Sequence, residues 1–378
     1  MSLPQFKTMA RTHTFGIVGG YGATGTAAAT ELLKSSDAQI LIGGRDRNRA
    51  TALATKLGNR VSAAQLDVLD ARSLDDFCSR CSIVLNCAGP VLLLQDRVAQ
   101  AALRSRSHYV DVASLTFVHE RMSPRGQEIA DQGLSFVISA GWMPGISELV
   151  PAYAHAVART KMDTIESVSV YFSDSGEWSD NALRDAAWFV HQVGLPRPGY
   201  FRKGQRTSVK MSTASRIVEL GEPIGRRRFS LVSVPELDDL GRRLTDCDVF
   251  IYAYLSGFRT AAAAMCMALL PLPDRLGVRL FRNIFRRNRL PVDGFALAQI
   301  LGQTQGRKCT FTAQVVYRGR RDYWINGLVP ATVARLISDG SSVRPGVHYL
   351  AAAFDPLLLM SELRKSGVDQ SESFEPHT

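Results

Sequence analysis

The glycines in the stretch GIVGGYGATG, residues 16–25, are the first residues in the chain whose spacing suits binding chemistry. An apolar run precedes them, and we expect a helix to begin near Ala23. Glycines permit a tight turn and close approach of the backbone, and a helix N-terminus presents free N–H groups and the positive end of a dipole. The pattern predicts a site for a nucleotide diphosphate at Gly20, Gly22, Ala23, Thr24 and Gly25. A strand–helix turn without a ligand is the alternative interpretation.

The end of the next apolar run, LIGGRDRNR (41–49), decides which dinucleotide would fit. A site for NAD typically has an acidic residue near this point, where its carboxylate binds the ribose 2′-hydroxyl. Here Arg45 follows two glycines, and Asp46 comes one position late. Because arginine pairs with phosphate through charge-assisted hydrogen bonds, the sequence predicts NADP, with Arg45 on its 2′-phosphate. For Arg47 and Arg49, the solvated start of a helix is the alternative.

Three further loops follow predicted strands, at the carboxyl edge where an open parallel sheet binds its ligands. The residues that we assign to the cofactor there are Asp67 and Val68 on the adenine side, Ala88, Gly89 and Pro90 beside the pyrophosphate and nicotinamide ribose, and Asp111 near the nicotinamide. Ser114 follows on the substrate side. The alternative role for Asp111 is to cap the next helix.

Short apolar runs alternate with helix-like segments through about residue 140, and this alternation predicts a doubly wound parallel sheet of the Rossmann type. After Gly145 the pattern becomes typical of antiparallel strands with one exposed face. We therefore predict an α/β fold with three parts: an NADP-binding Rossmann domain over 1–145, an inserted α+β domain with a mostly antiparallel sheet over 146–329, and C-terminal helices over 330–378 that return to the first domain. Residues 369–378 are polar, and we expect them to be disordered.

The chain has 378 residues, of which 46% are hydrophobic, enough for about two domains. Its six cysteines do not suggest a disulfide framework. Cys78 and Cys81 form a CxxC, which we interpret as two ordinary helix residues, so no metal site is predicted. The N-terminus lacks the apolar stretch of a signal peptide, and no part of the chain reaches membrane-spanning length. The expected location is the reducing cytoplasm.

The net charge of +10 is concentrated in the middle of the chain, where residues 146–329 carry +9. Within that region, RLGVRLFRNIFRRNR (275–289) places Arg275, Arg279, Arg282 and Arg286 on one face of a helix. Such a basic amphipathic helix either contacts an anionic membrane or an acyl carrier, or docks on its own protein with the arginines in water. Both interpretations stay open. No nucleic-acid-binding motif accompanies the charge, so no nucleic-acid partner is predicted.

The motifs GGYGATG, GGRD, VLNCAGP, HYVDVAS and GWMPGIS resemble, in order and spacing, those of the saccharopine dehydrogenase (glutamate-forming) and saccharopine-reductase-like family of NAD(P)-dependent oxidoreductases. The resemblance covers about residues 14–150, and residues 346–368 are similar to the closing segment of that family. It implies an inserted catalytic and dimerisation domain, and hence a homodimer. It also implies hydride transfer to or from a C=N bond, of imine or opine type. A branch of trans-acting enoyl reductases implies a lipid or polyketide-like substrate instead.

The chain departs from the amino-acid-handling members of this family at the turn WMPG. Such members often carry an acid there, whereas Trp142 and Met143 precede Pro144 and Gly145 here. An apolar pair suits a larger or greasier substrate, either a free small molecule or one bound to a carrier. We expect these four residues and Ser114 to line a substrate site between the domains.

The sequence identifies candidate residues for the cofactor site but does not identify a general acid. The sequence lacks the Tyr-xxx-Lys pair of short-chain dehydrogenases, which argues against carbonyl reduction of that type, and it lacks HExxH, GxSxG and P-loop motifs. No general acid can be chosen from the candidates Tyr171, Asp174, Glu177, His191 and Tyr200. Two functional classes remain: an NADP-dependent oxidoreductase, and a non-catalytic regulator that senses NADP.

Overall fold

The computed structural model describes residues 13–114, 116–174, 178–193, 197–254, 292–318 and 323–377, with the backbone alone for 190–193, and four residues of the basic segment, Leu276, Val278, Arg279 and Arg282. The strands are β1 (Thr14–Val18), β2 (Gln39–Gly44), β3 (Val61–Gln65), β4 (Ile83–Asn86), β5 (His108–Asp111), β6 (Ser135–Ile138), β7 (Thr164–Asp174), β8 (Gly199–Arg202), β9 (Gln205–Ser208), β10 (Ser215–Glu219), β11 (Arg226–Leu231), β12 (Asp248–Ala253), β13 (Gly294–Thr304), β14 (Arg307–Tyr317), β15 (Gly346–Tyr349) and β16 (Gln370–Pro376). The helices are α1 (Ala23–Ser35), α2 (Arg47–Leu57), α3 (Ala71–Ser79), α4 (Val91–Leu94), α5 (Arg97–Arg104), α6 (Phe117–Met122), α7 (Gly126–Asp131), α8 (Ile146–Lys161), α9 (Asp180–Val193), α10 (Pro235–Arg243), α11 (Trp324–Ser338), α12 (Leu350–Ala353) and α13 (Pro356–Lys365).

Seven of the described strands form a sheet in the order β15-β6-β5-β4-β1-β2-β3, and all its pairings are parallel. The central strands β1 and β4 are buried almost throughout, because a parallel sheet with helices on both faces exposes neither side. The strand order reverses at β1, which has β4 on one side and β2 on the other. Open α/β sheets bind ligands at such a switch point. The predicted Rossmann-type sheet is confirmed.

A second sheet follows Gly145 and contains the other nine described strands, in the order β10-β11-β12-β7-β13-β14-β16, with β8 paired to β12 and β9 to β8. Strands β7 and β12 run parallel, and the other pairings between these strands are antiparallel. One face packs on helix α8 through alternate residues such as Val168, Ala298 and Phe311. The predicted second domain with a mostly antiparallel sheet is therefore confirmed.

The C-terminal residues join both sheets, which differs in part from the prediction. Helix α11 packs against α1, and β15 pairs with β6 in the first sheet. Residues Gln370–Pro376, however, form strand β16 and pair with β14, so the predicted disordered tail is wrong. An edge strand that is exposed along nearly its whole length needs no apolar alternation, and its composition therefore resembles that of a disordered segment.

The contact between α11 and α1 generates a stability prediction. A Cβ on Gly327 would lie 2.5 Å from both the Cβ of Ala27 and the backbone nitrogen of Ala28. We expect Gly327→Ala to push the helices apart and to lower the free energy of unfolding by about 1–3 kcal/mol, measured by chemical denaturation. The control is Gly126→Ala, where a Cβ would meet nothing within 4 Å and helix propensity favours alanine. Equal stability of the two variants would contradict this packing.

Candidate nucleotide and substrate site

In the turn after β1, three glycines are closely packed against other atoms, and a fourth has open space beside it. Gly19 has a φ of +74°, and a Cβ on it would lie 2.9 Å from the backbone of Ala88. A Cβ on Gly20 or Gly25 would approach other atoms to 2.7 Å and 2.5 Å, so these glycines permit strand, turn and helix to touch. A Cβ on Gly22 would meet only the carbonyl oxygen of Gly19 within 4 Å, at 3.1 Å. Among the described residues, nothing else fills the space outside Gly22.

Helix α1 begins directly after this turn, and the first N–H groups of a helix have no acceptor within it. Gly22 is the N-cap residue and provides no side-chain cap. The N–H groups of Ala23, Thr24 and Gly25 are therefore available beside the open space, together with the positive end of the helix dipole. The geometry fits a diphosphate.

Arg45 lies directly after β2, is exposed, and forms no ion pair with any residue in the described ranges. The carboxylate of neighbouring Asp46 accepts a hydrogen bond from the Arg49 N–H at 3.1 Å and so caps helix α2. The Tyr21 hydroxyl accepts a hydrogen bond from the Asp46 N–H, and the Arg49 guanidinium lies 4.5 Å from the centre of the Tyr21 ring. An available arginine beside an engaged carboxylate fits a ribose 2′-phosphate better than a free ribose diol.

The loop after β3 is stabilised by a hydrogen bond within the loop and by a buried side chain. The Asp67 carboxylate accepts a hydrogen bond from the Leu69 N–H at 2.9 Å, and the Val68 side chain is buried in the protein. Leu69, which is 61% exposed, is the apolar side chain that this loop presents to solvent. The loop therefore lies at the expected carboxyl edge, two strands from β1, although Val68 itself faces inward.

The loop after β4 meets the second domain directly. Ala88 packs against Gly19, so it lies beside the nucleotide turn. The carbonyl oxygen of Gly89 accepts a hydrogen bond from the side-chain amide of Asn181 on helix α9, at 3.1 Å. Pro90 is the N-cap residue of α4. The predicted pyrophosphate and ribose loop is thus brought to the turn and is covered from the other domain.

A buried carboxylate from the second domain caps the start of α4. Asp185 accepts hydrogen bonds from the N–H groups of Val91 at 2.8 Å and Leu92 at 3.1 Å. Burial raises the pKa of Asp185, while these two N–H groups act in the opposite direction. Helix α9 also places Trp188 against Phe117, with ring centres 5.0 Å apart. Helix α9 therefore closes over the nicotinamide side of the expected cofactor site.

Asp111, at the carboxyl end of β5, is fully buried and does not cap the next helix. Its Oδ1 accepts a hydrogen bond from the Ser139 N–H at 2.8 Å. The Tyr109 hydroxyl lies close by, but no described residue has hydrogen-bonding geometry with Oδ2. Burial raises the pKa of Asp111 to about 7, against the lowering effect of Ser139 and Tyr109. The carboxyl group therefore exchanges a proton near neutral pH.

Buried hydroxyl groups accompany this carboxyl at the same edge of the sheet. Ser114 and Ser139 are 2% and 1% exposed, and neither hydroxyl has a hydrogen-bond partner among the described residues. Ser139 has a φ of +62°, a left-handed conformation uncommon for a residue with a side chain. Unpartnered buried polar groups are rare, and ordered water or a ligand commonly accounts for them. This edge of the sheet therefore carries buried hydroxyl groups that could hydrogen-bond to water or to a ligand.

A second group of buried acids lies further along this edge, and the sequence analysis missed it. Glu148, in the first turn of α8, is fully buried; its Oε1 accepts a hydrogen bond from the Ala351 N–H at 2.6 Å, and its Oε2 has no described partner. Glu236 on α10 is 8% exposed, and burial raises its pKa to about 7. Burial, and then the charges of Glu236 and Glu148, raise the pKa of Tyr349 at the end of β15. In the sequence, the signal that could have revealed Glu148 was the presence of an acidic residue within the apolar run 146–154.

In the turn WMPG, the structure gives Trp142 a different role from the predicted one. Trp142 is 2% exposed, with its ring centre 5.7 Å from that of Tyr317, and its indole occupies space that a Cβ on Gly294 would share at 2.9 Å. It is a packing residue, which corrects the expectation that its ring lines an open cleft. Gly145 is buried with a φ of +127° and shapes the turn. Met143 and Pro144, which are partly exposed, stay candidates for an apolar wall.

Two of the described general-acid candidates, Tyr171 and Tyr200, lie on strands of the second sheet. Tyr171 is 1% exposed and stacks on Tyr252 within the second sheet, and Tyr200 stacks on Phe250. Asp174 ends strand β7. Glu177 and the side chain of His191 lie outside the described residues.

The basic segment 275–289 is described at four positions only. Val278 is buried, Leu276 is 50% exposed, and Arg282 forms an ion pair with Asp180 at the start of α9. These contacts favour docking on the protein, whereas membrane or carrier contact stays a prediction. Within the described part of the chain, no helix has the length and apolar character needed to cross a membrane.

Replacing Gly22 tests the location of the diphosphate. We expect Gly22→Val to remain folded, because an N-cap valine costs only about 1 kcal/mol, and to lose NADPH binding, because its methyl groups fill the space outside the turn. Calorimetric titration and a thermal melt measure the two effects. Gly126→Val, at an uncrowded position of the same domain, is the control. Unchanged NADPH affinity in folded Gly22→Val would place the diphosphate elsewhere.

Replacing Arg45 tests the choice of cofactor. Loss of one charge-assisted hydrogen-bonded pair removes about 1.5–3 kcal/mol of binding free energy, so Arg45→Ala should weaken NADPH about 10–100-fold and spare NADH. Titrations of both cofactors measure this, with Arg80→Ala, an exposed arginine of the same domain, as the control. Equal weakening of NADPH and NADH would instead make Arg45 a structural residue.

Comparison with known proteins supports the first domain most directly. Residues 15–137 match the family model of the saccharopine dehydrogenase NADP-binding domain. A lipid droplet localized protein of Caenorhabditis elegans is 26% identical over 137 residues, which cover 33% of this chain and 32% of that protein. A saccharopine dehydrogenase-like oxidoreductase of Homo sapiens is 23% identical over 211 residues, covering 51% of this chain and 48% of that protein. The chain thus matches at most about half the length of these relatives.

The whole fold has a counterpart among solved structures. The apo saccharopine dehydrogenase (L-Glu forming) of Saccharomyces cerevisiae superposes with a TM-score of 0.66 at 15% sequence identity, covering 96% of this chain and 100% of that chain. At this identity the similarity shows the fold. The resemblance inferred from the motifs is therefore confirmed: residues 15–137 form an NADP-binding domain of the saccharopine dehydrogenase type, within the saccharopine dehydrogenase fold.

Proposed function

We propose that this chain is an NADP-dependent oxidoreductase that transfers a hydride to or from a C=N bond of imine or opine type. NADPH would supply the hydride from its nicotinamide, and the chain would supply binding, orientation and a proton. The observation that carries the proposal is the presence of two fully buried acids, Asp111 and Glu148, each with one oxygen that no described residue satisfies. The NADP-binding domain and the names of the relatives support the redox class.

Buried acids favour a substrate whose reacting group becomes cationic. A protonated C=N bond carries a positive charge, which a carboxylate stabilises strongly where water is excluded. Reduction of an enoyl thioester instead develops negative charge on an oxygen, which these acids would destabilise whenever they are ionised. The acids Asp111, Glu148 and Glu236 at the carboxyl edge therefore support C=N chemistry over C=C chemistry.

Asp111 is suited to supply the proton that this reaction consumes. Overall, imine, NADPH and one proton give amine and NADP⁺. With a pKa of about 7, Asp111 is protonated in a large share of molecules at neutral pH. It would protonate the imine nitrogen, and the resulting carboxylate would pair with the cation until solvent restores the proton. Ser114 and Ser139, with their unpartnered hydroxyls, would hold a water between Asp111 and the substrate.

One observation favours a second candidate, a trans-acting enoyl reductase that acts on a lipid or polyketide-like substrate. Leu93, on the helix after Pro90, is 54% exposed beside the loop expected to hold the nicotinamide ribose, and Met143 is also partly exposed. One relative carries the name lipid droplet localized protein. A non-catalytic NADP-sensing regulator would bind NADPH and reduce neither substrate class.

We further propose that the chain works as a cytoplasmic homodimer on a small-molecule or carrier-bound substrate, without a nucleic-acid partner. The basic surplus of the inserted region supports recruitment of an acidic carrier or substrate. Peripheral membrane contact through 275–289 is the variant of this proposal in which the same charge meets anionic lipid.

The reaction and the role of Asp111 are tested together by NADPH oxidation with a panel of preformed imines and enoyl thioesters. We expect turnover with imines. Because only the protonated carboxyl donates, imine reduction should slow as the pH rises through about 7, and amine oxidation should respond in the opposite sense. Asp111→Asn should lower kcat at least about 100-fold, with NADPH affinity retained, and should remove this pH dependence.

The control is Asp76→Asn, which changes an exposed acid of the same domain. Turnover of enoyl thioesters alone would favour the second candidate, and NADPH binding without any turnover would favour the sensor. Wild-type turnover and pH dependence in Asp111→Asn would show that Asp111 only fixes the backbone at Ser139.

A further inference from the structure

Three metal-binding side chains from two distant parts of the chain converge on the second domain. His155 lies on α8, and Asp246 and Cys247 directly precede β12. One ring nitrogen, one carboxylate oxygen and the thiol sulfur all lie within 4.8 Å of one another. His155 and Cys247 are 7% and 1% exposed, whereas the Asp246 side chain is 45% exposed. The cluster is therefore enclosed by protein but reachable from solvent on the Asp246 side.

The fold holds both elements that carry the cluster. Helix α8 packs along β7, β13 and β14. The carbonyl oxygen of Cys247 accepts a hydrogen bond from the N–H of Lys203, in the turn between β8 and β9, at 3.2 Å. Strand β12 then pairs with both β7 and β8. The three donors thus converge on a rigid framework.

The spacing of the donors is close to that of a tetrahedral metal site. The Nε2 of His155 lies 3.2 Å from each carboxylate oxygen of Asp246. Zinc binds nitrogen and oxygen at about 2.0–2.1 Å, which places tetrahedral ligands of these types about 3.3 Å apart. A sulfur ligand at about 2.3 Å from zinc lies about 3.6 Å from the others. The distance from Sγ of Cys247 to each of the other two donors, which is at most 4.8 Å, would therefore shorten by no more than about 1.2 Å.

We propose that His155, Asp246 and Cys247 bind a divalent metal ion, with zinc as the best match and water as the fourth ligand. Nitrogen, thiolate and carboxylate are all zinc ligands, and the mixed set argues against magnesium or calcium, which prefer oxygen. Binding releases the thiol proton to solvent as the metal–sulfur bond forms, so thiolate and carboxylate together balance the charge of +2. The positive charge of Arg159, one helical turn beyond His155, opposes binding weakly because that side chain is exposed to water.

The proposed metal site would lie apart from the proposed reaction site. His155 follows Ile146, the start of α8, by nine positions, which corresponds to roughly 13 Å along the helix axis. The metal would therefore lie far from the start of α8, where Glu148 meets the carboxyl edge of the first sheet. It would fasten the helix that leads out of the nucleotide domain to strand β12 of the second sheet, independently of the proposed reaction.

The test uses the full-length chain, stripped of metal by a chelator and titrated with Co²⁺, whose spectrum reports its ligands. We expect one equivalent to bind, with a near-ultraviolet thiolate-to-cobalt charge-transfer band and the visible bands of a tetrahedral site, and Zn²⁺ to displace it. Cys247→Ser should abolish the charge-transfer band, and Asp246→Asn should weaken binding at least about 10-fold. Zn²⁺ should raise the melting temperature of the unmodified chain by at least about 3 °C and leave that of Cys247→Ser unchanged.

Cys81→Ser is the matched control, because it removes the CxxC and leaves the proposed ligands in place. Its cobalt spectrum should equal that of the unmodified chain. Circular dichroism confirms that each variant is folded, and Asp246→Asn, at an exposed position, keeps the test decisive if Cys247→Ser is unstable. Absence of a thiolate band, or a band that survives Cys247→Ser and disappears in Cys81→Ser, would overturn the proposal and leave His155 and Asp246 as a hydrogen-bonded pair.

Discussion

The close approach of backbone to backbone in the turn after β1 is the constraint on which the rest of the structure depends. Gly19, Gly20 and Gly25 let strand, turn and helix touch at distances where a side chain would collide. This contact directs the unsatisfied N–H groups at the start of α1 toward the space left open by Gly22, at the point where the strand order of the sheet reverses. The same contacts that close the first domain therefore shape the turn at which we expect a diphosphate to bind.

The second domain contacts the loop that we expect to lie on the nicotinamide side of the cofactor. Asn181 binds the Gly89 carbonyl, and Asp185 binds the start of α4, so two hydrogen-bonding side chains of α9 hold the loop that the cofactor must meet. The first turn of helix α8 places Glu148 at the same edge of the first sheet. Apolar contacts accompany these hydrogen bonds, because Trp188 of α9 packs on Phe117 and one buried apolar cluster runs through both domains.

Local patterns sufficed to predict the first domain, because the turn glycines, Arg45 and the short apolar strands can each be recognised from a few neighbouring residues. The buried acids were harder, since what holds them is distant: the partner of Asp111 is 28 residues away, and the partner of Glu148 is 203 residues away. Trp142 looked like a substrate wall because nothing near it in sequence reveals that Gly294 leaves room for its ring. Strand β16 was missed for a related reason, as an exposed edge strand lacks the alternation that marks a half-buried one.

Hydrogen–deuterium exchange of the unmodified chain, with and without saturating NADPH, tests most directly whether the carboxyl edge of the first sheet is the cofactor site. The account predicts slower amide exchange in peptides that cover 19–26 and 87–91, where the backbone meets the pyrophosphate. It predicts a further slowing at 44–49 that NADPH produces and NADH does not. Peptides from β14 and β16, in the second sheet, should exchange at unchanged rates. Unchanged exchange at 19–26 under saturating NADPH, or slowing confined to the second sheet, would contradict the account.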